Sequence, residues 1–199
     1  MQESYIQDKN FENKDFTTQP LEKSTYENCI FSQCNLGYTD LSGSMFIDCE
    51  FRSCNLSLVK LNKTALQDVI FTDCKMLGLR FDSCNVFGLS FRFSNCELNH
   101  SSFFQLKIKK TIFKNSSLQE VDFTEADLTE AVFDNCDLTK ANFERSNLEK
   151  ADFRTSINYS IDPEMNKIKK ARFSLEGLPG LLDKYNIIVE DKNWIALID

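Results

Sequence analysis

Residues Val121–Phe153 read VDFTEADLTEAVFDNCDLTKANFERSNLEKADF, and a large apolar residue returns at every fifth place: Phe123, Leu128, Phe133, Leu138, Phe143, Leu148 and Phe153. Two places before each stands a smaller residue, Val121, Ala126, Ala131, Cys136, Ala141, Ser146 or Ala151, and the other three places are mostly polar. An amphipathic helix repeats its apolar face every ~3.6 residues and a half-buried strand every ~2, so neither accounts for a period of five. Repetition at a fixed short period marks a solenoid, in which each unit is stable only against its neighbours.

Extended in both directions, the fives form two runs. The first runs from Ile6 to Phe91, the second from Leu98 to Phe153, and every central position in both is apolar. The step from Phe91 to Leu98 is seven, which predicts a two-residue insertion within 92–97, a bulge at one corner. If four fives close one turn, positions 20 apart are equivalent. Phe11, Phe31, Phe51, Phe71 and Phe91 keep that spacing, and a step of 22 across the insertion leads to Phe113, Phe133, Phe153 and Phe173. These nine make one core file; Leu21, Leu41, Leu61, Phe81, Phe103, Phe123 and Phe143 make another.

The expected fold is therefore all-β: a four-sided β-solenoid of about nine coils over 1–173, roughly 43 Å long at about 4.8 Å per coil. Polar residues at the small positions of the first turn (Ser4, Lys9, Lys14, Gln19) predict a frayed N-terminal coil. Asn158 and Pro163 at central positions predict an irregular last coil over 155–173. Ser174 as N-cap and Pro179 in the first turn open a C-terminal helix that Asn186 stops, with a short strand at Ile187–Val189. A solenoid end exposes unpaired backbone and core rings, so 174–190 is expected to cover it. Leu178, Leu181, Leu182, Tyr185, Ile187 and Val189 are the candidates for that cap and for a dimer seam; 191–199 is a tail without an assigned place.

Composition narrows the class. The chain of 199 residues is 42% hydrophobic and 27% charged, as a folded soluble protein would be, and its 18 Phe against one Trp point to an interior that demands phenylalanine. No apolar run approaches a bilayer span and MQESYIQDKN lacks a signal-peptide core, so a cytoplasmic protein with reduced thiols is expected. A net charge of −7 argues against direct binding to nucleic-acid phosphates.

Fives such as Ala126-Asp-Leu-Thr-Glu, Ala131-Val-Phe-Asp-Asn and Ala141-Asn-Phe-Glu-Arg resemble the A(D/N)(L/F)xx motif of the pentapeptide repeat proteins, over about residues 4 to 173. The resemblance implies a right-handed quadrilateral β-helix. The ending SLEGLPGLLDKYNIIVE is similar to the C-terminal helix and strand of the Qnr and related topoisomerase-protecting members. That likeness implies a head-to-head homodimer, an acidic rod shaped like duplex DNA, and non-enzymatic binding to DNA gyrase or topoisomerase IV that reduces quinolone action. The projecting loops of the Gram-negative Qnr proteins are missing, which places the chain nearer the loop-free Gram-positive members. A scaffold or interaction rod with an unrelated partner is the alternative.

Candidate sites follow from the outward positions. Glu120, Asp122, Glu125, Asp127, Glu130, Asp134 and Asp137 form a stretch with no Lys or Arg between Lys114 and Lys140. Adding 20 sets Glu120 against Lys140, Glu125 against Arg145, Glu130 against Lys150 and Asp134 against Arg154, a belt of pairs between coils. Asp122, Asp127 and Asp137 lack such a partner and are the better sources of outward negative potential. Cys29, Cys34, Cys49, Cys54, Cys74, Cys84, Cys96 and Cys136 all fall at small inward positions and read as core filler rather than metal ligands. His100, outward and alone, has no nucleophile beside it, and neither catalysis nor a cofactor is expected. The cluster Lys167, Lys169, Lys170 and Arg172 reads as solvated surface. Phe87, Phe93 and Phe104 are expected to face outward, where clustered aromatics would mark an interface.

Overall fold

The computed structural model describes residues 4–189. Its strands are β1 (Ser4–Gln7), β2 (Asn10–Glu12), β3 (Ser24–Glu27), β4 (Ile30–Ser32), β5 (Met45–Ile47) and β6 (Glu50–Arg52). They continue as β7 (Ala65–Gln67), β8 (Val69–Thr72), β9 (Phe91–Ser94), β10 (Ile112–Lys114) and β11 (Val132–Asp134). Strands β1, β3, β5 and β7 make one parallel sheet, and β2, β4, β6, β8, β9, β10 and β11 make another. Partners lie 20 residues apart, Phe11 on Phe31 and Phe31 on Phe51, so four fives do close one turn. Isolated parallel bridges of the same step, such as Asn35 to Asn55 and Ser102 to Asp122, join the other two sides.

The sides are numbered here by their central files. Side one carries Tyr26, Phe46 and Leu66; side two Phe31, Phe51 and Phe71; side three Leu36, Leu56 and Met76; side four Leu41, Leu61 and Phe81. All of these are buried. About seven turns carry a paired strand on side two, and bridges from Val132 to Asp152 and from Asp152 to Arg172 extend that side further.

Most corners are made the same way. Two residues after a central one the backbone enters the left-handed region, as at Asn28 (φ 50), Asp48 (φ 51), Asn115 (φ 47) and Glu125 (φ 58). Asn and Asp tolerate that conformation best, which explains their frequency there in the first half of the chain. On sides three and four, and on side one in the later coils, a turn hydrogen bond closes the corner: the Ala126 amide donates to the Phe123 carbonyl at 3.0 Å, the Ala141 amide to Leu138 at 2.9 Å and the Ala131 amide to Leu128 at 2.9 Å. Positive φ at the third residue with this bond is the signature of a type II turn. The small residue that follows points inward, where a larger side chain would strike the central files.

Inside, the rings stack. Phe11 and Phe31 are 4.7 Å apart at 7°, Phe31 and Phe51 4.6 Å at 7°, and the file continues through Phe113, Phe133, Phe153 and Phe173. Side-four rings meet this file edge-on, with Phe113 and Phe123 5.8 Å apart at 79°. The cysteines are all buried and unpaired, as expected of filler, but they also donate. Cys54, Cys74 and Cys136 thiols reach the carbonyls of Phe31, Phe51 and Phe113 on the preceding coil, each at 3.3 Å, and Ser156 does the same to Phe133 at 2.7 Å. Burial pushes the Cys49, Cys84 and Cys136 thiols up to about 12.

Three expectations are corrected. First, the insertion lies before 92–97. Phe71 pairs with Phe93, and Val69 with Phe91. The extra residues are taken up between Phe81 and Phe91, through a 3-10 turn at Phe81–Ser83 and an exposed loop at Asn85–Gly88. Val86 swings out to 69% exposure, and Phe91 fills the space it leaves, against Phe81 at 5.3 Å and Phe93 at 5.1 Å. Phe93, expected outside, is 1% exposed and takes the place in the nine-ring file assigned to Phe91.

Second, the last coil is irregular as expected, but the residues that turn inward are not those at its central positions. Asn158 becomes a corner (φ 60), while Tyr159 and Ile161 turn inward in place of Asn158 and Pro163. Third, no α-helix forms among the described residues. The cap is two 3-10 turns, Leu178–Leu181 and Asp183–Tyr185, ended by Asn186 in the left-handed conformation. Pro179 and two glycines make a poor helix, and the glycines are needed for contact: a Cβ at Gly177 would stand 1.8 Å from the Tyr159 hydroxyl, and one at Gly180 2.1 Å from the Tyr159 carbonyl. The Ile161 amide donates to the Gly180 carbonyl at 2.9 Å, and Leu181 packs on the core, so the end is covered without a helix. Ile187–Val189 is exposed and forms no strand; the 191–199 tail lies outside the described residues.

Two outcomes test this interior. Phe113→Ala should lower the free energy of unfolding by about 3–5 kcal/mol in urea titration, because stacked coils cannot collapse into the void; Phe11→Ala, at the partly buried first ring, should cost much less. All eight cysteines should resist a thiol reagent at neutral pH in the native protein and react on unfolding; a fast-reacting native thiol would contradict the buried, hydrogen-bonded arrangement.

Candidate functional site: the charged sides

A corner repeated every five residues sends consecutive charged side chains to different sides. The seven acidic candidates therefore form no single surface. Asp127 and Glu130 lie on side one, Asp134 on side two, Glu120 and Asp137 on side three, and Asp122 and Glu125 on side four. Their stretch wraps the rod as a belt.

Three of the four expected pairs form. Glu125 meets Arg145 at 3.1 Å, Glu130 meets Lys150 at 2.7 Å, and Glu120 lies 3.8 Å from Lys140. Each also reaches the coil on its other side: Glu125 accepts from Gln105 at 2.7 Å, Glu130 stands 3.8 Å from Lys110, and Glu120 is 3.3 Å from His100. The Gln105 amide and then Arg145 hold Glu125 below its ordinary pKa, and Lys150 does the same for Glu130. The fourth pair does not form. Arg154 forks onto Asp152 two residues earlier on its own coil, at 2.8 and 3.0 Å, and Asp134 accepts instead from the Thr155 hydroxyl at 3.1 Å.

The three aspartates expected to project freely are tied down. Asp122 accepts the Thr124 amide at 2.9 Å. Asp137 accepts from Thr139, from Gln119 at 2.6 Å and from Asn158 at 2.9 Å. Burial raises its pKa, but these donors outweigh that and leave it lowered. Asp127 has a basic partner after all: Lys109 lies 3.2 Å away. Desolvation opposes its ionisation, but the Thr129 hydroxyl and amide together with Lys109 prevail. Lys109 is 18 residues away, a diagonal neighbour, and adding 20 finds only direct ones.

Side two is balanced, with Glu12, Glu50, Asp73, Asp134 and Asp152 against Arg52, Arg92, Lys114, Arg154 and Arg172. A ladder of amides runs down its corner, Asn95 to Asp73 at 2.9 Å, Asn115 to Asn95 at 3.1 Å and Asn135 to Asn115 at 3.0 Å. No side carries an acidic stripe along its whole length among the described residues.

The outward aromatics do not cluster. Phe87 is 79% exposed on side one, Phe104 is half-buried on side four, and Phe93 is inside. A ridge that the pattern did not flag lies on side three, where Tyr38 is 75% exposed and Leu58 rests over Gly78. Its signal was apolar residues at the corner position, which is polar elsewhere. Lys167, Lys169 and Lys170 are exposed, and Arg172 leans toward Asp152 at 3.8 Å.

At the C-terminal end a cleft of about 460 Å³ opens between the last coil and the cap, lined by Asn158, Tyr159, Ser174, Glu176 and Asp183. It holds no paired nucleophile and base. Leu178, Leu182 and Tyr185 sit partly or fully open around this end, with the Tyr185 hydroxyl donating to Glu164 at 2.9 Å. Among the described residues no group of His, Cys, Asp and Glu is placed to hold a metal ion, and no helix is long and apolar enough to cross a membrane.

Two family models match the chain, one described as a pentapeptide repeat region over 44–123 and one as eight copies of the pentapeptide repeat over 116–154. No curated protein matches it by sequence. Among solved structures, a trypsin-treated QnrB1, a plasmid-mediated fluoroquinolone resistance protein, is similar with a TM-score of 0.61 at 15% identity, over 92% of this chain and 99% of that one. Full-length QnrB1 gives 0.46 at 15% identity, over 92% and 100%. HetL, a pentapeptide repeat protein of the cyanobacterium Nostoc involved in regulating heterocyst differentiation, gives 0.36 at 14% identity, over 87% and 88%. At 15% identity the first of these is a likeness of fold alone. The two models together span more than half of the 199 residues. The chain belongs to the pentapeptide repeat family, and its four-sided coil is that family's right-handed quadrilateral β-helix.

Proposed function

We propose that this protein works without catalysis, as a rigid cytoplasmic rod that presents its sides to a protein partner. The observation that supports this reading most is where the side chains go. Stacked rings and small corner residues fill the interior, and the remaining positions stand outward in fixed rows about 4.8 Å apart. Such a surface suits recognition by shape and patches of charge, and the described residues enclose no apolar pocket of a size that takes a substrate.

A second reading names the partner as a bacterial type II topoisomerase, DNA gyrase or topoisomerase IV, with an effect on quinolone action. It is favoured by the overlay of fold along the whole length of a fluoroquinolone resistance protein. The distribution of carboxylates argues against a phosphate-like stripe, so on this reading the rod engages the enzyme mainly through shape and local patches. Gyrase and topoisomerase IV should be retained on the immobilised rod, and supercoiling in the presence of ciprofloxacin should change as the rod is added. No retention and a flat response over a wide concentration range would exclude the topoisomerase and leave the interaction rod.

Homodimerisation through the C-terminal end belongs to the same proposal. Leu175, Leu178, Ile187, Ile188 and Val189 expose apolar surface there, while Leu181 is spent on the protein's own core. In small-angle scattering, Leu178→Lys combined with Ile187→Lys should shorten the longest dimension from about two rods to one; an unchanged length would remove this seam.

A further inference from the structure

We infer that side one is a second, self-complementary interface, on which two copies of the rod lie side by side and antiparallel. The first four coils place Asp8, Glu27, Asp48 and Asp68 on this side, and Ser4–Asp8, Ser24–Asn28, Ser44–Asp48 and Thr64–Asp68 contain no Lys or Arg. The later coils reverse the sign. Lys107, Lys109 and Lys110 stand on the sixth coil and Lys167, Lys169 and Lys170 on the ninth, all exposed.

Between these halves lies an irregular coil. Its loop carries the exposed pair Val86 and Phe87, and the Phe87 carbonyl accepts from Gln67 on the coil below at 3.4 Å. The coil above is fixed by ring contacts at both ends of the loop: Phe81 stacks on Phe103 at 4.6 Å, and Phe93 on Phe113 at 5.2 Å. Residues 82–92 therefore lie against 104–112, which contains the first lysine cluster. Phe87 sits on the fifth of nine coils, at the change of sign.

A two-fold axis through Phe87, perpendicular to the rod, maps each half onto the other. One coil away, about 5 Å, it sets Asp68 against Lys107, beside Lys109 and Lys110, which are shared with Asp127 and Glu130 of their own rod; four coils away, about 19 Å, it sets Asp8 against Lys167, Lys169 and Lys170. In between, Asp48 faces Asp127 and Glu130, whose charges are already met by Lys109, Lys110 and Lys150 at 2.7–3.8 Å. Glu27 faces the neighbouring opposite charges Glu149 and Lys150. The net pairing is attractive in this orientation and repulsive in the parallel one, where each half meets its own sign. An isologous contact of this kind is the commonest form of homodimer, and an exposed aromatic at its centre is where binding energy concentrates. The occupant is a second copy because the polarity reverses about its own midpoint.

The test uses the full-length chain and reads the cross-section of the particle in small-angle scattering, which end-to-end association leaves unchanged. At low ionic strength the wild type should show a doubled cross-sectional mass that falls to that of one rod in about 1 M salt, where charges more than about 3 Å apart are screened. Asp48→Lys with Asp68→Lys gives the side a net positive charge, and Lys107→Glu with Lys110→Glu gives it a net negative one. Each variant alone should associate sideways at least tenfold more weakly, and a one-to-one mixture should recover association. Phe87→Asp, in an exposed loop that the core does not need, should abolish it with an unchanged melting temperature. A wild type that stays one rod wide at low salt, as a rod built for an unlike partner would, overturns the inference. So does a mixture no stronger than its components.

Discussion

Ring-on-ring stacking at 4.6 to 5.4 Å along side two is the contact on which the rest of the structure depends. Parallel ladders impose nearly the same rise, so backbone and side chains agree on the height of a coil and neither strains the other. Edge-on contacts from side four lock the angle between files, as rings prefer when they do not stack. This also accounts for phenylalanine over tyrosine. A buried phenol calls for an acceptor that phenylalanine does not need, and the two that enter do so near the ends: Tyr26 donates to the Glu22 carbonyl at 2.5 Å, while the buried Tyr159 hydroxyl has no partner among the described residues.

The corners convert this interior into a surface with rules. A left-handed residue every five turns the chain by one side, so charges adjacent in sequence part company and charges 20 apart meet. The acidic stretch around Glu120 to Asp137 is a clear case. In sequence it is a run of negative charge; in space it is spread over four sides and stitched to Lys140, Arg145, Lys150 and Lys109. Any partner sees patches a few coils long, bounded by pairs whose charges are largely spent on each other.

Much of this was legible beforehand because period and geometry are linked one to one: a five-residue side and a 20-residue turn are visible as spacing, and the stacked files, buried cysteines and three inter-coil pairs follow directly. The misreadings within the coils share one cause, loss of the period. Around 81–93 the sequence offers FRF, with Phe91 and Phe93 both suited to the interior, and spacing alone cannot choose which keeps the file. Near Asn158 and Tyr159 the chain leaves the pattern, and the tighter fit of Tyr159 under Gly177 and Gly180 decides which residue turns inward. Asp127 was missed because the diagonal neighbour is set by the reach of a lysine, which no repeat encodes.

The loop at Asn85–Gly88 has a wider meaning for how such rods can be altered. Two surplus residues were expelled sideways while Phe71, Phe93 and Phe113 kept their register. Ornament and ruler are thus physically separable: excursions at a bend can be grafted, trimmed or rewritten without altering the distance between landmarks further along the shaft.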